Sequence, residues 1–380
     1  MKTKLLLILL FISALANGQQ LSEQAEISVL TCQPGTDLYS VFGHTAIRVY
    51  DPGRVDHVYN YGTFDFNDEF YLKFARGKLN YRLSRSSFGQ FNYEYTVTER
   101  GVEEQMLNLT QDQKNRFNHA LVENYKPENQ YYQYDFFYDN CATRIRDILE
   151  DVLGDELQWN SEFDHESYTF RDMIDMYLVD MNWSDFGIDI ALGQPCDKVL
   201  EAQDNMFLPD YVFSEIASAT IGGQPLVKET KVVIKKAVRE AGSPLDPALM
   251  LTMALTLLAL FWFWRRRKGS QSLVIPRFLF IFLGLAGLMV FLLWFATDHT
   301  TTKQNWNLIW AFPLHLIVAF ILKKKRLVVP YMKAFTIVYI IVLIFGFLFP
   351  QRYHLAFYPL ALMGAILSFG LGFLPSGKTQ

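Results

Sequence analysis

Hydrophobic and polar positions divide this chain near residue 247. Upstream, apolar residues alternate with polar ones or recur at helical steps. Downstream, five long runs contain no Asp, Glu, Lys or Arg: 247–264, 278–296, 305–322, 334–351 and 355–374. Each is close to the ~20 residues a helix needs to cross a bilayer, which predicts five spans. In the upstream part, Ile27–Thr31, Thr45–Tyr50 and Val58–Thr63 are rich in β-branched and aromatic residues. Asp51-Pro52-Gly53 is a turn signal that makes the last two a hairpin. Leu83–Ser87 and Phe91–Thr98 read as further strands, the latter by aromatic/polar alternation. Helical spacing takes over at Gln111–Tyr125. It returns after Asp139/Asn140, where Cys141, Ile145, Ile148, Leu149 and Val152 share a face and Gly154 marks the stop. Phe170–Val179 and Phe213–Thr220 are the next predicted helices. Strands first and helices later give an α+β layout, followed by an all-α five-span domain.

The first residues read as a secretory signal over 1–16. Lys2 and Lys4 precede the short apolar core Leu5–Ile12, and Ala14-Leu15-Ala16 is a cleavage site. The apolar run is too short for a membrane span, so residues 19–225 are expected outside the cytoplasm as one domain. Charge sharpens the division. Residues 19–245 carry 37 Asp and Glu against 20 Lys and Arg, although the whole chain has a formal charge of only −4. An acidic exported domain excludes nucleic acid as a partner, because phosphate contacts need a basic face. Residues 226–246 hold Lys228, Lys231, Lys235, Lys236 and Arg239 and read as a basic juxtamembrane joint, either a solvated linker or a headgroup-attracting segment. The runs 265–268 and 323–326 consist entirely of Arg and Lys; both loops are expected in the cytoplasm, leaving the C-terminus inside.

Three cysteines, Cys32, Cys141 and Cys196, leave at least one thiol without an internal partner, and the spacing is not that of a disulfide scaffold. Cys32 and Cys196 read as structural. Cys141 opens a helix, where the dipole and backbone N–H groups stabilise a thiolate. His44, in Phe42-Gly43-His44-Thr45-Ala46-Ile47-Arg48, leads into a strand. Together they are a candidate nucleophile and general base, with backbone N–H groups near Cys141 as oxyanion donors. Each alone also reads as a small core residue or a turn histidine. Asn60 is the preferred residue to orient the imidazole, and His57 is the alternative. No HxxxH or CxxC spacing points to a metal, and no cofactor is expected. His299, Asn305, Asn307, Asp298, Arg352 and His354 fall in loops on the exported side; they are ordinary loop residues or line a headgroup site. His315 lies within a span, as a functional residue or a helix–helix hydrogen bond.

The segments Leu30-Thr31-Cys32-Gln33-Pro34-Gly35, Phe42–Arg48, Tyr59-Asn60-Tyr61-Gly62-Thr63-Phe64-Asp65-Phe66 and Asp139-Asn140-Cys141-Ala142-Thr143-Arg144 resemble the Bacteroides-type lipoprotein N-acyltransferase (Lnb) family. The order of histidine strand and later Asn-Cys helix is similar to permuted papain-like enzymes of the NlpC/P60 and lecithin:retinol acyltransferase (LRAT) group. The resemblance implies that His44 activates Cys141 to take an acyl chain from a membrane phospholipid. The acyl group then passes from the thioester to the N-terminal amine of a diacylated apolipoprotein. Arg48, Tyr61, Asn140, His299 and Asn305 are the candidate substrate contacts, with a surface salt bridge as the plainer role for Arg48. A membrane-anchored NlpC/P60-like peptidoglycan hydrolase or a phospholipase would use the same pair. A non-catalytic membrane scaffold would not.

Overall fold

A computed structural model describes residues 20–64, 69–236 and 245–374. The expected signal segment, and Asp65 and Phe66 of the third motif, lie outside them. The chain forms two compact units.

The first unit is built on a seven-stranded, wholly antiparallel sheet. Its strands are β1 (Glu26–Cys32), β2 (His44–Asp51), β3 (Val55–Thr63), β4 (Asn80–Ser87), β5 (Val102–Leu107), β6 (Tyr131–Gln133) and β10 (Val227–Ile234), in the order β10-β5-β1-β2-β3-β4-β6. The short strands β7 (Leu157–Gln158), β8 (Thr220–Ile221) and β9 (Gln224–Pro225) form a separate small sheet. Helices are α1 (Phe70–Ala75), α2 (Phe88–Val97), α3 (Gln111–Asn124), α4 (Cys141–Leu153) and, later in the chain, α7 (Pro209–Ser218). Strand alternation sends Val29, Ile47, Val49, Tyr59 and Tyr61 to one face, where Phe117 and Leu121 of α3, Ile145 and Leu149 of α4, and Val212 and Ile216 of α7 cover them. Leu30, Cys32, Ala46 and Val58 fill the other face under Phe91 and Tyr95 of α2.

Three expectations are corrected. Residues 91–98, read as a strand, lie largely in helix α2. Ser87 and Gln90 form a capping box, and Phe91 and Tyr95 one turn apart bury their rings on the sheet. The basic joint 226–246 forms edge strand β10 over Val227–Ile234, and its residues 237–244 lie outside the described residues. Its lysines meet acidic neighbours: Lys228 with Glu26, Lys231 with Glu229 and Lys236 with Glu103. The expected 19–225 domain is also interrupted, because residues 169–198 cluster with the second unit.

That unit holds α5 (Phe170–Leu178), α6 (Asn182–Ala191), α8 (Pro247–Arg267), α9 (Val274–Phe295), α10 (Leu314–Phe320), α11 (Lys325–Phe345) and α12 (Phe357–Gly372). Among the described residues, three helices, α8, α9 and α11 with its short extension to Leu348, are long and apolar enough to cross a membrane. Trp306–Phe320 and Phe357–Gly372 are shorter apolar helices. The third apolar run is broken at Pro313, which has no N–H to continue a helix, so α10 is only seven residues long. His315 on α10 is fully buried, and its ring nitrogens meet the hydroxyls of Tyr331 (2.8 Å) and Tyr339 (3.0 Å) on α11, the helix–helix bonding role.

Candidate active site

Cys141 is the first residue of α4, and Asn140 is its N-cap. The Asn140 Oδ1 accepts the N–H groups of Ala142 (2.7 Å) and Thr143 (2.9 Å). Its Nδ2 donates to the carbonyls of Phe136 (2.7 Å) and Phe207 (2.8 Å). Both ends of the amide are thus engaged and the residue is buried, so Asn140 fixes the start of the helix rather than reaching a substrate.

The sheet opens where the helix starts. The β2–β3 register runs from Asp51↔Val55 to Ile47↔Tyr59 and stops there. The β3–β4 register shifts between Asn60 and Thr63, and Gly62 in this irregular stretch has φ of +83°. A Cβ on Gly62 would stand 3.4 Å from the Cys141 Cβ and 4.0 Å from the Tyr132 hydroxyl. Glycine is therefore required here for the left-handed backbone, while a Cβ would make only ordinary contact with Cys141 and Tyr132.

Thr45 links β2 to this helix start. Its hydroxyl donates to the Cys141 carbonyl at 2.9 Å. Burial pushes the Cys141 thiol above its ordinary pKa; the N–H and hydroxyl of Thr45 and the N–H groups of Cys141 and Ala142 pull the other way without cancelling it. The sequence expectation of a lowered pKa is thereby corrected: the helix-start donors are present, but desolvation outweighs them.

His44 begins β2 opposite Cys32. Alternation turns it toward the α2 side of the sheet, with Cys32, Ala46 and Val58, while Thr45 turns toward α4. Asn60 lies on that same α2 side and hydrogen-bonds the imidazole. Its Nδ2 lies 3.5 Å from the Val58 carbonyl, which leaves Oδ1 to accept from the ring. Burial, and then Arg100, lower the His44 pKa to about 4, with Asn60 opposing. At neutral pH the thiol and the imidazole are both uncharged. His57 is elsewhere: it pairs with Val49, five residues along β2 from His44 and so about 17 Å away at strand rise, on the opposite face. Of the two candidates, Asn60 is the residue placed at His44.

Arg48 is engaged by Asp56 (2.8 and 3.0 Å) and Glu104 (3.1 and 3.2 Å), and its guanidinium lies 3.5 Å from the centre of the Phe88 ring. Tyr61 is buried and its hydroxyl accepts from Asn124 at 2.9 Å. Both side chains are engaged by partners within the protein. Cys32 is fully buried with its thiol pushed up to about 12 by burial, and Cys196 is buried 3.3 Å from the Thr301 carbonyl.

Two neighbours of Cys141 were not singled out from sequence. Tyr132, on β6, has a buried hydroxyl that faces the Gly62 N–H and keeps its proton unengaged. The Arg144 guanidinium lies over the Tyr132 ring at 4.3 Å and is itself held by Asp139. Tyr134, half-buried, also lies near the thiol and stacks on Tyr81 with ring centres 4.2 Å apart. The alternating tyrosines of Tyr131-Tyr132-Gln133-Tyr134 were the available signal, but aromatic alternation reads first as core packing.

Residues 16–175 match the Lnb N-terminal periplasmic domain, and residues 239–374 match the Lnb transmembrane domain. The chain belongs to the Lnb family. No curated protein and no solved structure matches it. Lnb membership implies lipoprotein N-acyltransferase function and makes the chain an inner-membrane protein with a periplasmic N-terminal domain.

The remaining candidates fall in the second unit of this Lnb protein. Asn305 is fully buried and donates to the carbonyls of Ile190 (2.9 Å) and Ala191 (3.0 Å), which removes it from substrate contact. Asn307 donates to Asp189 and Ile190 carbonyls. His299 packs against Gly77, whose added Cβ would meet the His299 backbone nitrogen at 2.8 Å. Arg352 pairs with Asp172 and Asp175, and His354 with Asp185 at 3.2 Å. Asp175, Asp185 and Asp189 each place a carboxylate oxygen within 4.8 Å of the others, but Arg352, His354 and Arg171 supply the countercharge.

Proposed function

We propose that this protein moves a fatty acyl chain from a membrane phospholipid to the N-terminal amine of a diacylglyceryl-cysteine lipoprotein, through a thioester on Cys141. The observation that supports the reading is the Thr45 hydrogen bond that ties the start of the Cys141 helix to the residue following His44, in a chain that matches both Lnb domains. Because both partners rest uncharged, His44 takes the thiol proton as the sulfur attacks the ester carbonyl. The ester C–O bond breaks, and His44 returns the proton to the departing glyceryl oxygen, releasing a lysophospholipid. The lipoprotein amine then attacks the thioester, the C–S bond breaks, and the proton lost by the amine restores the thiol through His44. Asn60 holds the ring. The N–H group of Cys141 and the Tyr132 hydroxyl are the candidate donors to the tetrahedral oxyanion.

The surroundings favour an acyl chain over a polar peptide. Tyr81, Tyr132 and Tyr134 give the thiol an aromatic environment. Leu38 and Tyr39 in the segment before His44, and Tyr138 before Cys141, are exposed. Apolar side chains on the loops that carry the two reactive residues suit contact with a lipid surface. A dry site also protects the thioester from water. The same reading takes the sheet unit as a permuted papain-like fold, the histidine strand preceding the nucleophile helix. It takes the second unit as five spans with the basic loops and the C-terminus cytoplasmic.

Mass spectrometry of lipoprotein N-terminal peptides tests the proposal in cells that make the wild-type chain, Cys141→Ser or His44→Ala. An N-acyl mass present only with the wild type is expected, together with a hydroxylamine-labile acyl group on Cys141. Unchanged N-acylation with Cys141→Ser, or release of peptidoglycan peptides in its place, would overturn it.

A further inference from the structure

The membrane unit contains a cavity of about 510 Å³ in the size range of small-ligand pockets. It lies where the basic loops meet the helix ends. Arg266 near the end of α8, Lys323 after α10 and Lys325 at the start of α11 contribute its cations, and Leu322, Val328 and Leu371 are among its apolar lining. Arg266 is only 8% exposed, and its guanidinium reaches the neutral Gln271 amide at 3.4 Å. The two lysines are exposed at the rim. Gly372 lets the end of α12 approach α11: an added Cβ would stand 3.1 Å from the Lys333 nitrogen.

The charge pattern says what such a cavity takes. From Pro247 to Gln380 the sequence contains a single acidic side chain, Asp298, and it follows the far end of α9 from this cavity. No Asp or Glu lines the cavity among the described residues. A largely apolar hollow with three cations at the end of a helix bundle fits a phosphate on a glycerol backbone whose acyl chains run along the helices. We propose that this cavity binds the headgroup of an anionic phospholipid from the leaflet that faces the basic loops, as a bound lipid and not as the acyl donor. The proposal stands apart from the chemistry at Cys141, since it uses none of those residues.

The test uses the full-length chain purified in a non-ionic detergent, with phosphatidylglycerol, phosphatidylcholine or inorganic phosphate added. Phosphatidylglycerol is expected to raise the thermal unfolding midpoint and to remain bound one-to-one in native mass spectra, with the other two having little effect. The Lys323→Gln/Lys325→Gln double variant, whose side chains are exposed, is expected to weaken retention by about tenfold or more. Arg266→Gln is expected to weaken it further. Should Arg266→Gln fail to fold, the double variant still decides the matter. Equal stabilisation by phosphatidylcholine, a response to phosphate as large as to phosphatidylglycerol, or full lipid retention in the double variant would overturn the proposal. The same binding measured on Cys141→Ser is expected to be unchanged, which separates this site from the acyl-transfer reading.

Discussion

The Thr45 hydroxyl donates to the Cys141 carbonyl across 2.9 Å, and Thr45 itself directly follows His44 in the chain. One residue therefore ties the start of the nucleophile helix to the start of the histidine strand. The bond is local to the site and partly buried, so its loss is felt as displacement as well as lost energy. Thr45→Val keeps the shape and removes the hydroxyl. It is expected to cost about 1 kcal/mol in unfolding experiments. It should also raise the Cys141 thiol pKa, because the hydroxyl is one of the groups that stabilise the thiolate. Iodoacetamide labelling against pH reads this directly; an unshifted labelling curve would refute the role given to Thr45.

The acid limb of the reaction follows from His44. A neutral imidazole is the competent base, and burial together with Arg100 holds its pKa at about 4. Single-turnover acylation of Cys141, followed from pH 7 downward, is expected to lose no base function until the pH nears 4. An inflection at 6.5 would show a solvated histidine and sink the assignment. Stability changes over a wider window. The folded pKa lies below the unfolded value of 6.5. As pH falls from 6.5 toward 4, the unfolded chain takes up a proton that the folded chain does not, and this residue's contribution is lost across that interval. Asn60→Leu removes a group that raises the His44 pKa and is expected to move the inflection lower while reducing the acylation rate.

Tyr132 offers a cleaner separation of chemistry from folding. Its hydroxyl is buried near Cys141 with the proton unengaged, so removing it breaks no donated bond in the resting protein. Tyr132→Phe is expected to leave the unfolding midpoint close to wild type. If the hydroxyl meets the oxyanion, the acylation rate falls by about two orders of magnitude with little change in KM. A variant that unfolds earlier but acylates at the wild-type rate would assign Tyr132 to packing alone.

The sequence was most legible where residue type and backbone role coincide. The hairpin at Asp51-Pro52-Gly53, the helix of Cys141 and its stop at Gly154 all follow from turn chemistry and apolar spacing. The stretch 91–98 misled because Phe91, Tyr93 and Tyr95 alternate as in a strand. The capping box that decides for a helix lies just ahead of them, and only Phe91 and Tyr95 reach the core. Lys228, Lys231 and Lys236 looked like a linker because their acidic partners are scattered: Glu26 and Glu103 are far away in sequence, on strands that only the folded sheet brings alongside. At the site, the helix start at Cys141 and the pairing of Asn60 with His44 were readable from residue type and context. Asn140, Arg48, Tyr61 and Asn305 were misjudged because polarity signals hydrogen bonding without saying whether the partner is a ligand or the protein's own backbone. The direction of the Cys141 pKa was misjudged for a related reason: a helix terminus is visible in sequence, but the burial that outweighs it is not.

Arg171 tests how the second unit holds its buried charge. Its side chain is fully buried; it pairs with Asp189, bonds Asp197 at 2.9 and 3.0 Å, and reaches the carbonyls of Leu192 and Gly193 at 3.4 and 3.3 Å. Removing the cation leaves two largely buried carboxylates without their main countercharge, and Asp189 already feels burial and Asp185 raising its pKa. Arg171→Met is therefore expected to destabilise the full-length protein by about 3–5 kcal/mol. Arg171→Lys should recover little of this, because an ammonium cannot bond both carboxylates and the carbonyls with the planar fork of a guanidinium. Adding Asp189→Asn and Asp197→Asn to Arg171→Met should restore a measurable part of the loss by removing the stranded charges. Thermal unfolding of the four proteins in detergent decides it. If the added Asn substitutions deepen the loss, the network is not held together by charge compensation.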